Sequence, residues 1–333
     1  MCIGWATCIQ RSLRPHSLCR FTTANAPANR QMPIASVVMG SYKKKMSDKY
    51  FDILAYTTEN EILSRLEYIG NQSLTPTGHG FETFGAIPIR ESAEKSTSTY
   101  TDKNKEKPAL GLIDVVLAAN RNYNKVVEPN LKRIEANYEE LRTFQELSEI
   151  LETKTQQEFY SFWGHKDEKK YKTLKDLLTK TKTLRDLYPT AKDDYDLMNQ
   201  WGQKADLFDY KHDVIGSIPN IAVATFQHLR MVFGVDTIKP DQRVKEVLDY
   251  EFGLSKLPDE KAIKAVEKIA SIAKMKVIAI DQILVQYGSS YYNQSANKVT
   301  TKQIVRNLKE LGVDNETISK ATYLTLGQIE RLK

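Results

Sequence analysis

From Pro108 to Tyr292 the apolar residues recur at helical spacing almost without a break, and no convincing stretch alternates apolar with polar residues as a half-buried strand would. Leu112, Val115, Val116 and Ala119 share one helix face, and Val126, Leu131 and Ile134 follow in the same rhythm. Further helices are predicted over Phe144–Leu151, Leu174–Leu187, Leu197–Leu207, Ile221–Phe233, Arg243–Phe252 and Glu260–Gln286. The connections between them are short and carry Pro, Gly and Asp. The expected fold class is therefore all-α, with one domain at 108–292. No apolar run reaches the ~18 residues of a membrane helix. The nearest approach, Val277–Val285, is interrupted by Asp281.

The flanks read differently. Residues 1–47 hold no Asp or Glu, yet carry Arg11, Arg14, Arg20, Arg30 and three consecutive lysines from Lys43. Such an acid-free leader over 1–45 is expected to be an organelle transit peptide or sequence upstream of a start at Met46. Residues 46–107 read as an appended segment: a short helix at Asn60–Tyr68, a turn-rich loop at Thr75–Gly80, and a polar linker over 91–107. Residues 293–298 form a second polar joint. Beyond it, residues 299–333 predict three short helices. The first is closed by Gly312, the second is capped by Asp314, and Thr325 with Gln328 forms a capping box for the third. This tail resembles the small helix-turn-helix modules of prokaryotic DNA-associated proteins, and a packing or dimerisation module fits it as well.

Composition narrows the chemistry. Cys2, Cys8 and Cys19 are the three cysteines, so disulfides, a thiol nucleophile and a cysteine-ligated zinc or iron–sulfur site are excluded from the body. No metal and no cofactor is expected. The compartment is expected to be cytoplasmic, with organelle import the alternative if the leader is a transit peptide. A net charge of +6 and a pI of about 8.9 fit a partner that is a polyanion and not a membrane.

The most informative stretch runs from Ile218-Pro219-Asn220-Ile221-Ala222 to Thr225, then Phe233-Gly234, then Ile238-Lys239-Pro240-Asp241. It resembles the core of the helix-hairpin-helix DNA glycosylase superfamily, in which a Leu-Pro-Gly-Val-Gly hairpin precedes a Thr and a catalytic Asp follows at a set distance. Pro219 and Thr225 match the hairpin Pro and Thr, and Asp241 lies sixteen residues past Thr225. Leu112–Arg133 resembles the family's first core helix and following loop, and Phe159–Leu178, with Trp163-Gly164, a later segment of the family pattern. The first hairpin Gly needs a positive φ. Asn220 stands there, and Asn tolerates the left-handed region best after Gly. The second Gly is replaced by Ala222.

The resemblance implies a two-lobed, all-α glycosylase fold acting on a flipped damaged or modified base in double-stranded DNA, in repair or in defence against phage DNA. A non-catalytic DNA-binding or regulatory protein on the same fold is the alternative. It implies that Asp241 is the catalytic carboxylate, a fixed anion opposite the cationic sugar that forms as the N-glycosidic bond breaks. A plain helix N-cap explains the same residue. Asn120 matches the wedge that fills the gap left by the flipped base, although an ordinary loop Asn would look the same. His228 and Tyr287 are base-pocket candidates, with core packing as the other explanation for each. Lys239, Lys169 and Lys170 are phosphate-contact candidates. Bifunctional relatives carry a nucleophilic Lys just before the hairpin Thr. Ala224 stands there, so a hydrolase without lyase activity is expected.

Overall fold

The computed structural model describes residues 57–292, 301–322 and 324–332. The leader, residues 46–56 and the joint at 293–298 lie outside the described residues. The described chain is all-α, and its sole β contact is an isolated bridge between Ser73 and Pro88. In chain order the helices are α1 (Glu59–Asn71), α2 (Phe81–Phe84), α3 (Ile89–Thr99), α4 (Asp102–Glu106) and α5 (Pro108–Ala118). A short π-helical turn (Tyr123–Val127) leads to α6 (Glu128–Asn137), α7 (Phe144–Thr153), α8 (Gln156–Trp163), α9 (Glu168–Leu187) and α10 (Asp194–Lys204). A 3₁₀ segment (Leu207–His212) precedes α11 (Val223–Val232), α12 (Gln242–Phe252), α13 (Asp259–Ala273) and α14 (Val277–Tyr291). The tail forms α15 (Thr301–Glu310), α16 (Asn315–Thr322) and α17 (Leu326–Arg331).

Three apolar cores organise these helices. The first is contiguous in sequence, from Ala109 to Phe233, and centres on Trp163, Trp201, Phe159 and Phe226. The second joins two distant pieces: Ile62, Leu66, Ile69, Ile89 and Ala93 on one side, and Ile238 through Tyr287 on the other. The third is the small tail core of Val305, Ile318, Leu324 and Ile329. Helix α11 serves two of them, with Val223 in the second core and Phe226 and Leu229 in the first.

The sequence expectations need two corrections here. Residues 91–107, read as a polar linker, fall largely in α3 and α4. Only Ile89, Ser92 and Ala93 of α3 are buried, so a narrow, small-residue stripe suffices against α14 and the rest stays polar. The segment before Pro108 is accordingly not an appendage but supplies one side of the second core. The single helix expected over Glu260–Gln286 is two. Lys274 takes φ 53° and closes α13, with the Met275 N–H donating to Ala270 O at 3.0 Å. That is the Schellman ending usually made by Gly, here made by a residue that gives no sequence signal.

The tail follows its expected caps. Gly312 sits at φ 75°, the Asp314 side chain accepts the Thr317 N–H at 2.8 Å, and Thr325 and Gln328 form the capping box. It is anchored by Arg65, whose Nη2 donates to Thr322 O at 2.7 Å.

Candidate active site

Asp241 is the N-cap of α12. Its Oδ1 accepts the Arg243 N–H at 2.9 Å and the Val244 N–H at 3.1 Å, and its own N–H donates to Lys239 O at 2.7 Å. Both side-chain bonds end on Oδ1, so Oδ2 keeps its lone pairs for another group. The loop carrying Asp241 is stitched to α14 twice. Asp281 Oδ1 accepts the Lys239 N–H at 3.1 Å, and Asp236 Oδ1 accepts the Ile278 N–H at 3.0 Å. A half-exposed carboxylate is thereby held on rigid backbone, as electrostatic catalysis requires.

Around Asp241, ionisable groups from both large cores converge on one seam. His79 comes from the turn before α2. Its N–H donates to Ser289 Oγ at 2.8 Å, its Nδ1 lies 3.4 Å from Asn124 Oδ1, and its ring meets Tyr123 edge-on at 5.3 Å. Burial lowers the His79 pKa against the Asn124 bond, and the charges of Lys239 and Asp241 both reach it. His228, on α11, is held well below the ordinary histidine value by burial and then by Lys239. Asp114 is the one acid of the otherwise apolar α5. Burial pushes its carboxyl up to about 6, against the Tyr123 hydroxyl, which donates to Oδ2 at 3.1 Å. Asp114 Oδ1 is buried with no partner. Asp281 interrupts α14 in the same way. Burial, and next the Asp241 charge, push it up to about 8, while the Lys239 N–H and the Gln282 amide pull the other way. Tyr100 and Tyr123 are raised well above the usual phenol range by burial and then by Asp114. Such a convergence of desolvated groups makes the seam a functional-site candidate.

The hairpin leads directly into the N-terminus of α11. Asn220 adopts φ 71°, in the left-handed region, and its amide donates to Thr173 Oγ1 at 3.3 Å. Pro219, Asn220 and Ala222 are exposed while Ile221 is buried beneath them, and Thr225 is half-buried in the first turn. Ala222 caps α11 without a side-chain hydrogen bond, so the first N–H groups of the helix are left to an outside acceptor.

Asn120 is exposed at φ 55°, just past the end of α5. The loop beneath it is held by Lys170, whose Nζ donates to Leu117 O at 2.6 Å and Ala119 O at 2.7 Å. Lys170 therefore departs from its expected role. It is buried, its pKa is lowered to about 8 by burial and then by Arg121, and its partners are carbonyls at a helix end. Lys166, Lys169, Lys172 and Lys175 stay exposed on α9 and the turn before it.

Tyr287 also departs from its expected role. Its hydroxyl donates to Glu251 Oε1 at 3.1 Å, where the Tyr292 hydroxyl also donates, and Glu251 Oε2 pairs with Arg65 Nη1 at 3.1 Å. Six residues along α14 turn Tyr287 about 120° away from Asp281. It belongs to the polar network under the tail and not to the seam.

Two open grooves, of about 300 and 470 Å³, lie elsewhere: one is bordered by Asp206, Arg230 and Lys264, the other by Arg133, Tyr138 and Lys154. In the first groove Arg230 is desolvated but committed to Gly202 O and Gln227 Oε1, whereas the seam gathers several desolvated groups around one carboxylate, which makes the seam the candidate site. Comparisons with protein-family profiles, curated proteins and solved structures return no match to this chain.

Sequence reasoning did not place His79, Tyr100, Asp114, Tyr123 or Asp281 at this site. Two of them left a trace. Asp114 in PALGLIDVVLA and Asp281 in VIAIDQILVQYG are lone charges in apolar helices, and an unpaired charge on a buried helix needs a reason.

Proposed function

We propose that the chain is a DNA N-glycosylase that hydrolyses the bond between a flipped base and its deoxyribose, with Asp241 as the catalytic carboxylate. The observation that carries this reading is the junction of three features around one short helix, α11. These are an exposed hairpin with open N–H groups, a carboxylate fixed by two backbone amides, and the desolvated His79 and Asp281, on which the Asp241 charge acts. The wedge position fits as well, because Asn120 stands exposed on a loop clamped by Lys170.

In this reading the hairpin N–H groups and the exposed lysines of α9 hold the phosphate backbone. Asn120 enters the duplex as the base leaves the stack, at a cost of a few kcal/mol. The base enters the seam among His79, Tyr123 and His228, whose rings and neutral imidazoles suit a stacked heterocycle. As the glycosidic bond lengthens, positive charge grows on the sugar, and the Asp241 anion stabilises it and orients the attacking water. The two-lobed helix-hairpin-helix glycosylase fold is the architecture that accommodates these parts.

The test is release of free base from duplexes carrying a panel of alkylated, deaminated, oxidised and hypermodified bases. Release by the wild-type chain and its loss in Asp241→Asn, with DNA binding and circular dichroism retained, is the expected outcome. Equal release by both proteins would reduce Asp241 to a helix cap. Binding without release from any duplex would favour a non-catalytic DNA-binding protein.

A further inference from the structure

Two exposed loops of the first core share one support, the start of α9. Asp167, Lys170 and Thr173 follow at three-residue steps, so their side chains line one face of that helix. Asp167 Oδ1 accepts the Lys170 N–H at 3.1 Å, and its Oδ2 pairs with Arg121 Nη2 at 3.5 Å. Lys170 Nζ donates to Leu117 O at 2.6 Å and Ala119 O at 2.7 Å, beneath Asn120. Thr173 turns to the other loop. Its hydroxyl is shared between Lys169 O at 2.8 Å and Pro219 O at 3.3 Å, and it accepts the Asn220 amide at 3.3 Å. The two supports stand about 4.5 Å apart along the helix axis. Each loop carries an exposed asparagine in left-handed backbone, Asn120 at φ 55° and Asn220 at φ 71°. Such backbone persists at a non-glycine residue where the surrounding structure holds it. Lys170 and Thr173 are themselves buried and committed to the two loops, so neither is left to contact a duplex.

We infer that Lys170 and Thr173 are positioning residues that lock the Asn120 loop to the hairpin at 219–222, so that the two loops meet DNA as one rigid edge. The inference rests on the reading above, in which those loops face a duplex. A phosphate seated on the hairpin then fixes where Asn120 meets the base stack. Were the loops independent, ordering each of them against the duplex would cost its own conformational entropy on binding. With α9 between them, that entropy is lost once, when the chain folds. The hairpin anchors, Asn120 opens the stack, and the helix sets the distance between the two acts. Misplacing Asn120 costs the opening step more than it costs binding, because the phosphate contacts hold without it. Loosening either loop is therefore felt at the other, which a pair of merely structural hydrogen bonds would not produce.

The test uses the full chain and two duplexes of one sequence, one intact and one carrying a tetrahydrofuran abasic analogue, which is inert and leaves a gap for a wedge. The wild type is expected to prefer the gapped duplex. Asn120→Ala should lose much of that preference and still bind the intact duplex. Lys170→Met should lower the preference about tenfold, a coupling of ordinary size for residues that share a network. Thr173→Val removes bonds to the hairpin and none to the Asn120 loop, yet it should lower the preference too. Thr173→Ser keeps the hydroxyl and should restore it. Added to Asn120→Ala, neither substitution should lower the preference further, because each acts through that residue. A purely structural role would lower the melting temperature and leave the preference as it is. An unchanged preference in either folded variant, or a further loss in the double variants, would overturn the inference, as would wild-type binding without preference. If Lys170→Met does not fold, the Thr173 pair decides. A chain that shows the preference and its coupling but releases no base from any modified duplex keeps the positioning role and sinks the glycosylase reading. Base release by a chain whose preference ignores both substitutions does the reverse, and failure to bind either duplex sinks both.

Discussion

Two buried polar clusters lie in and beside the second core, and they are built on opposite plans. Around Glu251 nearly every polar atom is spoken for: Oε1 takes the hydroxyls of Tyr287 and Tyr292, Oε2 takes Arg65 Nη1, and Arg65 Nη2 reaches Thr322 O. Arg65 Nε alone lacks a partner. Around Asp241 the partners are missing where they would matter most. Asp114 Oδ1 is buried without a hydrogen bond, and the Lys239 ammonium acts on Asp114 and Asp281 only through its field, with no side-chain hydrogen bond or close ion pair among the described residues. Closure at Glu251 is what a structural joint needs, since a buried charge is tolerable only when paired and hydrogen-bonded. Openness at the seam carries a standing cost that the Tyr123 hydroxyl on Asp114 and the Lys239 N–H on Asp281 offset only in part. That cost makes sense if a ligand supplies the missing partners.

The comparison can be broken from either side. The largest effect is expected at the closed cluster. Glu251→Ala strands the Arg65 cation and two phenols, and should lower unfolding free energy by about 3–5 kcal/mol, read by urea denaturation. Its effect on base release per folded molecule should be small. At the open cluster the order reverses. Asp241→Asn should slow single-turnover excision by about 10²–10³, with little loss of stability, because Asn caps a helix nearly as well. If Glu251→Ala proves harmless, or Asp241→Asn unfolds the chain, the division between joint and site is wrong.

Lys170 and Asp281 sharpen the boundary between the two plans. Lys170→Met leaves the carbonyls of Leu117 and Ala119 without their donor, and should cost about 1–3 kcal/mol of stability. Lys169→Gln should cost none and weaken DNA binding only. Asp281 gives a pH dependence with a definite sign. Its folded carboxyl sits at about 8, above the ordinary value of 3.8, so the native state holds an extra proton between those limits. Stability therefore falls as pH rises through that window. Asp281→Asn keeps an acceptor for the Lys239 N–H and cannot ionise. Its melting temperature should match the wild type near pH 4 and exceed it increasingly toward pH 8.5. A constant difference across the range would mean that Asp281 does not titrate there. The smallest effect is expected on the surface. Reversing Lys166, Lys169, Lys172 and Lys175 should flatten the salt dependence of DNA binding, by about 0.9 in log–log slope for every phosphate that the protein ceases to neutralise.

Much of this fold is legible in the sequence because its rules are local. The caps at Asp314 and Thr325, the stop at Gly312 and the left-handed Asn220 all follow from a residue and its near neighbours. The break at Lys274 is not, since a Schellman ending made by Lys has no compositional mark. The helix at 89–99 is hidden by its polarity, because only three of its residues are buried. Asp241 and its neighbour Lys239 are legible by spacing, but their surroundings are not. His79 and Tyr123 meet across 44 positions of chain, and no periodicity reports a contact of that kind. Tyr287 and Lys170 mislead for a related reason. Both have the right residue type on the right element, and only the direction of the side chain separates pocket from joint.

The divided second core also sets a timetable. Ala93 and Ile238 pack in one core although 145 positions separate them, whereas the first core closes within a continuous run from Ala109 to Phe233. Long-range pairing must overcome a larger loop-closure entropy, so the contiguous core is the natural early folding unit. During synthesis the apolar stripe of Ile62, Leu66 and Ile69 emerges first and waits for α12, α13 and α14, which come last before the tail. A holdase chaperone would find its target in that stripe. The seam, which needs His79 from the early piece and Asp241 from the late one, assembles only when the two ends of the domain meet, so a nascent chain has its hairpin before the groups of the seam come together.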